Sequence, residues 1–191
     1  MIDFGRIKLL LHKIRFVLII DGNKRGDYLR NHQLLKKCGE NLLFQSRNFP
    51  MDPELLSIHD NVAIAANVTF VTHDAIRHML CYKDKYPYIS HIGCIEVMEN
   101  VFIGIGAIIM PNVRIGENSI VAAGTLVTKD IPPGEIWGGI PAKKIGVTND
   151  LVCKRKMESM KFPKGLKVDE CWKLFYESRV NSNEKNEGEN K

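Results

Sequence analysis

The run VMENVFIGIGAIIMPNVRIGENSIVAAGTLVTKDIP, Val97 to Pro132, divides without remainder into six hexapeptides, each opening on Val or Ile. The openers are Val97, Ile103, Ile109, Ile115, Val121 and Val127, and the fifth places hold Val101, Ala107, Val113, Ser119, Thr125 and Ile131, all small or β-branched. The fourth places hold Asn100, Gly106, Asn112, Asn118, Gly124 and Asp130, residue types that tolerate a left-handed backbone. A corner is therefore expected once per block. The same register runs through IHDNVA and IAANVT, with openers Ile58 and Ile64 and corner residues Asn61 and Asn67. Such a period is neither that of a helix nor the alternation of a hairpin, and self-similarity at a fixed short period marks a solenoid. Short strands joined by corners, each sending one branched side chain inward, wind into a triangular prism whose coils stack at about 4.8 Å. The alternative is an ordinary sandwich with accidental spacing; eight openers in register count against it.

The count stops at a histidine. The block after IAANVT is FVTHDA, which puts His73 in the corner place, and histidine is among the residues enriched in left-handed backbone. Phe70 and Val97 are then 27 residues apart, not a multiple of six, so a loop, 74–91, must leave the prism here. Its Tyr82, Tyr86 and Tyr88, with Lys83, Asp84 and Lys85, suit a substrate-facing flap. A histidine at the base of a flap is placed for proton transfer, since imidazole is the side chain that takes up a proton near neutral pH. A histidine that merely satisfies a turn is the bland alternative.

With these residues in view the chain resembles the hexapeptide-repeat acyltransferases over about 41–146, above all the maltose, galactoside and virginiamycin acetyltransferases and the polysaccharide O-acetyltransferases. The resemblance implies an all-β solenoid, a left-handed parallel β-helix carrying N- and C-terminal helical appendages. It implies that VTHD, Val71 to Asp74, holds the general base, His73, which deprotonates an acceptor hydroxyl as that oxygen attacks the thioester of acetyl-CoA, with no acyl-enzyme and no metal. It also implies a homotrimer with active sites between subunits.

By the same resemblance VAAGTLVTKDIPPGEIWGGIPAKKIG, Val121 to Gly146, is the coenzyme A wall. Ala122, Ala123 and Gly124 leave backbone exposed for the pantetheine amides, Thr128 and Lys129 continue the groove, and Pro141 shapes the crossing where an adenine lies. Lys143 and Lys144 supply cations for the 3′-phosphate. Gly104 and Ile105 sit near the thioester, where a backbone amide would stabilise the oxyanion; relatives often carry a polar side chain where Ile105 stands, so here only the amide remains. Phe102, in a place often held by Trp, is expected to wall the acceptor site or to pack between subunits. Asp74, Tyr82 and Tyr86 are the other expected acceptor contacts.

The expected acceptor is a sugar or polysaccharide-precursor hydroxyl. An amino-sugar N-acetyltransferase would use the same base. His73 and His78 have the five-residue separation of the metal pair in γ-class carbonic anhydrases, a rival that needs a third histidine and an uninterrupted repeat. A catalytically silent scaffold is the remaining rival.

The flanks complete the division of the chain. Residues 1–38 form an N-terminal helical segment in which Phe4, Ile7, Leu11, Ile14 and Leu18 recur at helical spacing, which predicts an amphipathic helix packed on the body or on a partner subunit. Ile7 to Ile20 carries Lys8, His12, Lys13 and Arg15 and is too short and too charged to span a bilayer; rest on an anionic membrane surface is the less favoured reading. No cleavable signal pattern is recognised. Residues 39–147 form the prism, 148–180 a C-terminal helical segment split by FPKG, and 181–191 a charged tail read as disordered. The net charge of +5 is scattered and lacks the interleaved aromatics of a nucleic-acid track. Five widely spaced cysteines without a CxxC pair read as reduced cytoplasmic thiols.

Overall fold

The structure, a computed structural model, describes residues 4–161, 165 and 167–188. Its backbone sorts the hexapeptides onto three parallel sheets. The first holds β1 (Lys37–Cys38), β3 (Leu56–Ile58), β6 (Ile95–Val97) and β9 (Val113–Ile115). The second holds β2 (Leu43–Phe44), β4 (Ala63–Ile64), β7 (Phe102–Ile103) and β10 (Ile120–Val121), continued by β12 (Glu135–Gly138) and the antiparallel β13 (Lys143–Val147). β5 (Thr69–Phe70), β8 (Ile108–Ile109) and β11 (Leu126–Val127) make the third. From β3 to β11 the backbone visits first, second and third sheet in turn and begins again, so it coils. Ile95 pairs with Val113, Phe102 with Ile120 and Ile108 with Leu126, each 18 residues on. One coil lower the offset is 39, as between Ala63 and Phe102, because the flap is inserted there; between the first two coils it is 20, Leu43 pairing with Ala63.

The openers make the core. Ile58, Ile64, Val97, Ile103, Ile109, Ile115, Val121 and Val127 are fully buried, and each such side chain removed from water is worth roughly 1.5–3 kcal/mol. The edges carry the turns. Asn41, Asn61, Asn100 and Asn118 all have φ between 53° and 59°, and they stand above one another on the edge between first and second sheets. Their side chains form a ladder: Asn41 Nδ2 donates to Asn61 Oδ1 at 2.7 Å, Asn61 to Asn100 at 2.7 Å, and Asn100 to Asn118 at 3.1 Å. Asparagine is suited to this edge because its short amide both tolerates the left-handed turn and bonds along the column. Asn67, Gly106 and Gly124 turn the next edge in the same way. On the outer face of the first sheet, Lys37, His59, Glu96 and Arg114 join across the strands: Lys37 Nζ lies 3.0 Å from His59 Nδ1, His59 Nε2 3.1 Å from Glu96 Oε1, and Arg114 Nε donates to Glu96 Oε2 at 2.7 Å.

Both ends of the prism are closed. At the first, α1 (Phe4–Leu18) and α2 (Gly22–Asn31) meet β1 and β2. Phe16 of α1 sets its ring edge-on to Phe44 and Phe49 at 5.5 and 5.3 Å. Gly26 of α2 lies so close to the Leu42 carbonyl that a Cβ would stand 2.0 Å from its oxygen. Arg25, 3% exposed, has no carboxylate among its hydrogen-bond partners in the described residues. Its guanidinium instead donates to the carbonyls of Phe44 and Gln45 at 2.7 Å each, to Ile20 at 3.2 Å and to Ile19, tying the turn that follows α1 to the end of β2. At the far end β13 folds back antiparallel on β12. Residues 150–191 form a second unit, with α4 (Thr148–Lys161) leading into it and α5 (Val168–Gly188) within it.

Four features differ from the sequence reading. His73 and Asp130 are not left-handed: His73 is in an antiparallel bridge with Ile92, and Asp130 uses its carboxylate to accept Arg114 N–H at 2.7 Å. The apolar spacing of α1 lies on the solvent side, with Ile7, Leu11, Ile14 and Leu18 each at least 42% exposed, while Phe16 turns to the body. β1 enters the first sheet at Lys37, inside the segment assigned to the N-terminal helices. α5 continues to Gly188, into the stretch read as a tail; of FPKG, only Gly165 is among the described residues.

Candidate active site

The flap leaves and returns at a pinched base. His73 bridges Ile92, Gly93 N–H donates to Thr72 O at 2.8 Å, and Asp74 N–H donates to His91 O at 3.3 Å. This pairing holds the His73 backbone extended, with its ring partly exposed at the edge between third and first sheets. The ring has a partner that spacing alone did not reveal. Asp52 Oδ2 lies 2.6 Å from His73 Nδ1 and also accepts the Thr72 hydroxyl at 2.6 Å. Partial burial pushes the Asp52 carboxyl up, but the Thr72 hydroxyl and the His73 ring outweigh it and hold the carboxyl below the usual aspartate range. An anionic Asp52 can only accept a hydrogen bond, from Nδ1–H, an arrangement that puts the lone pair of the neutral ring on Nε2. Next to this pair is a cavity of about 430 Å³ lined by Asp52, Glu54, Leu55, His73, Ser90 and Ile92.

Asp52 comes from the stretch between β2 and β3, where no third-sheet strand forms. The 20-residue offset of the lowest coil places it directly under Thr72, one coil before His73. That offset is the signal that could have found it, and it is visible only once the pairing is known.

The flap itself is α3 (Ile76–Asp84) and an extended return. Asp74 does not point to the cavity: its Oδ1 accepts Ile76 N–H at 3.0 Å, at the start of α3. Tyr82 and Tyr86 are 72% and 61% exposed and stand outside the cavity lining, to which the flap contributes Ser90 instead, followed by Ile92 just beyond its end. Tyr88 donates its hydroxyl to Asp84 Oδ2 at 2.7 Å and closes the flap on itself. His78 pairs with the Tyr82 ring at 5.2 Å. Among the described residues no three His, Cys, Asp or Glu side chains are grouped to hold a metal ion.

The expected coenzyme wall occupies a different edge. Gly104 and Ile105 turn from second to third sheet, and Ala122 and Ala123 turn above them. A Cβ on Gly104 would lie 2.5 Å from Ala123 N, so glycine is what lets the two turns close. Gly104 N–H is committed to Val121 O at 2.8 Å and Gly106 N–H to Ala66 O at 3.0 Å. Ile105 N–H, between them, has no acceptor among the described residues, and the Ile105 side chain is 52% exposed. Phe102 is 44% exposed on the outer face of the second sheet, between Ala63 and Ile120. Thr128 is exposed above β11, while Lys129 Nζ lies over the Trp137 ring, 5.3 Å from its centroid. Pro141 and Lys143 are exposed at the crossing between β12 and β13. Lys144 is not free: it donates to Glu135 Oε1 at 2.7 Å, and Trp137 Nε1 donates to Glu135 Oε2 at 2.7 Å. Lys144 first and then Trp137 hold the Glu135 carboxyl below the usual range. Within one chain, then, His73 and the turn at Gly104–Ile105 lie on different edges of the prism.

Known proteins share this build. The family described as bacterial transferase hexapeptide (six repeats) matches residues 95–129. The chain is 38% identical to the protein CapG of Staphylococcus aureus over 68% of its length and 75% of the relative's. It is 41% identical to the galactoside O-acetyltransferase of Escherichia coli over 52% of its own length and 48% of that protein. Of some curated relatives the chain thus spans only about half the length, 44% and 48% in two of them. A maltose O-acetyltransferase of Clostridium difficile superposes with a TM-score of 0.57 at 27% identity, over 76% of this chain and 89% of that one. The coiled sheets, the repeat that builds them and the two-thirds coverage of CapG carry one conclusion: the chain belongs to the hexapeptide-repeat acyltransferase family.

Proposed function

We propose that this protein transfers the acetyl group of acetyl-CoA to a hydroxyl of a sugar or polysaccharide precursor, with His73 as general base and Asp52 as the residue that positions it. The observation that carries the reading is the Asp52–His73 pair at 2.6 Å beside the cavity under the flap. In the proposed step Nε2 of His73 removes the acceptor proton as the acceptor oxygen forms its bond to the thioester carbonyl carbon. The carbon–sulfur bond then breaks, and the proton held on Nε2 passes to the leaving sulfur, giving an ester and the free thiol. Base catalysis of this kind contributes about 10²–10⁴-fold. The unengaged Ile105 amide is suited to receive the developing oxyanion.

The two edges in one chain cannot complete that site alone. We therefore assign it to the groove between copies, in which the Gly104–Ile105 and Ala122–Ala123 edge of one subunit faces His73 of the next, and a homotrimer closes the ring. The coil is assigned a left hand on its likeness to the maltose O-acetyltransferase fold. Ala122 and Ala123 carry side chains too small to cover their backbone, which fits pantetheine amides; Lys143 and Lys144 fit the 3′-phosphate, with Glu135 as its competitor. Acetyl-CoA use and five unpaired thiols fit the cytoplasm.

Purified protein, acetyl-CoA and a panel of galactosides, maltosides and amino-sugars test the reading through release of free thiol. Acceptor-dependent release, with a product cleaved by mild alkali as an ester is, supports O-transfer. An alkali-stable product assigns N-transfer, and no acceptor-dependent release at all overturns the enzymatic reading.

A further inference from the structure

The apolar side of α1 is exposed among the described residues of the first unit. Taking Ile7 as the zero of a helix that turns 100° per residue, Leu18, Leu11, Ile14, Leu10 and Val17 fall within about 60–80° of it, and all five are at least 42% exposed. Phe16 points the opposite way, into the body. Lys8 and Arg15 stand on one flank of the apolar arc, while Lys13, beyond the other, turns its ammonium to the body, over the Phe49 ring at 5.9 Å. The helix sequence FGRIKLLLHKIRFVL contains no acidic residue, and among the described residues neither Lys8 nor Arg15 has a carboxylate partner.

Charge selects the occupant. A second α1 laid against this face would bring two basic helices together with no carboxylate to pair across the seam, the reverse of what helix pairing requires. An anionic bilayer supplies both complements at once: acyl chains for the arc, and phosphates at the depth where the flanking cations emerge. No described helix is long and apolar enough to cross a membrane, so the contact is one of lying on the surface. We propose that α1 docks this protein onto an anionic lipid surface through Ile7, Leu10, Leu11, Ile14, Val17 and Leu18, with Lys8 and Arg15 at headgroup level. This assignment does not depend on the transfer chemistry.

Flotation of the full chain with phosphatidylcholine vesicles, with and without phosphatidylglycerol, tests it. The wild type is expected to float with the anionic vesicles and not with the neutral ones, and to be released by high salt. Lys8→Glu with Arg15→Glu should lower partitioning by at least about 30-fold, since each cation near such a surface contributes about a fivefold factor. Leu11→Ser with Leu18→Ser should lower it at least about tenfold, while thermal midpoint and oligomeric mass stay as in the wild type. A wild type that does not float, or a serine variant that floats as well as the wild type, overturns the proposal. A serine variant of lower oligomeric mass overturns it too, and gives the face to a second copy.

Discussion

Replacing Asp52 by Asn changes one charge at the oxygen on which two donors converge. Thr72 and His73 both reach Oδ2 at 2.6 Å, and an amide oxygen can still accept from both, so the cavity keeps its shape. What is lost is the charge in the bond to Nδ1–H. Charged hydrogen bonds contribute about 1.5–3 kcal/mol and neutral ones about 0.5–1.5, so the imidazolium that forms in the transition state loses about 1–2 kcal/mol. At 1.36 kcal/mol per factor of ten, kcat should fall about 5- to 30-fold, with KM for acetyl-CoA unchanged. Thr72→Val removes the other donor and leaves the histidine bond; it should cost thermal stability but less than about threefold in kcat. His73→Ala sets the floor, about 10²–10⁴-fold down. Initial rates of thiol release for the three variants, beside their unfolding midpoints, are the assay. Wild-type kcat in Asp52→Asn, or a loss confined to KM, would refute the positioning role.

Glu135→Gln should free Lys144 and raise the preference for coenzyme A over its 3′-dephospho form, whereas Lys143→Ala with Lys144→Ala should abolish most of it; titrating both coenzymes into each variant measures the ratio, and equal ratios throughout would move the phosphate contact elsewhere. Shortening 83–88 to a Gly-Ser linker removes Tyr86 and the Tyr88–Asp84 bond but leaves Ser90, Ile92 and the bridge to His73; acceptor KM should rise while oligomeric mass holds, and loss of the oligomer would make the flap architectural. Asn100→Ala breaks two rungs of the ladder and forces alanine to φ near 58°, costing about 1–2 kcal/mol and about 2–8 °C in midpoint, most of which Asn100→Gly should recover. Asp52, Glu96 and Glu135 are all held below their usual range, so their contribution is complete above the ordinary carboxylate range and is lost as pH falls through the lowered values; stability followed by circular dichroism should be flat near neutrality and decline in acid, and a rise there would contradict the pairing.

The prism was legible in the sequence because its determinants are local. A branched residue, a corner residue and a small residue recur within one block, and each acts on its own coil. His73 was legible for a related reason: the break in the count shows where the chain departs. Its conformation was not, because the bridge to Ile92 comes from the returning strand of the flap, 19 residues later. Asp52 was hidden because its position depends on a two-residue excess in the lowest coil. Lys144 was read as a free cation for want of knowing that β13 folds back and sets it beside Glu135. Helical spacing in α1 gave the apolar arc but not its direction; that was decided by Phe16, which has rings to meet on the body.

The closed ends have a wider consequence. A parallel coil offers at each terminus a row of unpaired amides and carbonyls, a template on which further chains could add without limit. Here α1 and α2 occupy one template and the reversed β13 the other, so nothing in the repeat itself sets the length of the molecule. Between the two stoppers the coil behaves like a screw thread. Whole turns of 18 residues could be gained or lost with every later edge keeping its azimuth, while any other increment has to be thrown out as a loop, as at the flap and in the 20-residue lowest coil, if the Gly104–Ile105 edge is to keep its bearing on His73. The chain is free to grow by the turn and is held to its phase in everything smaller.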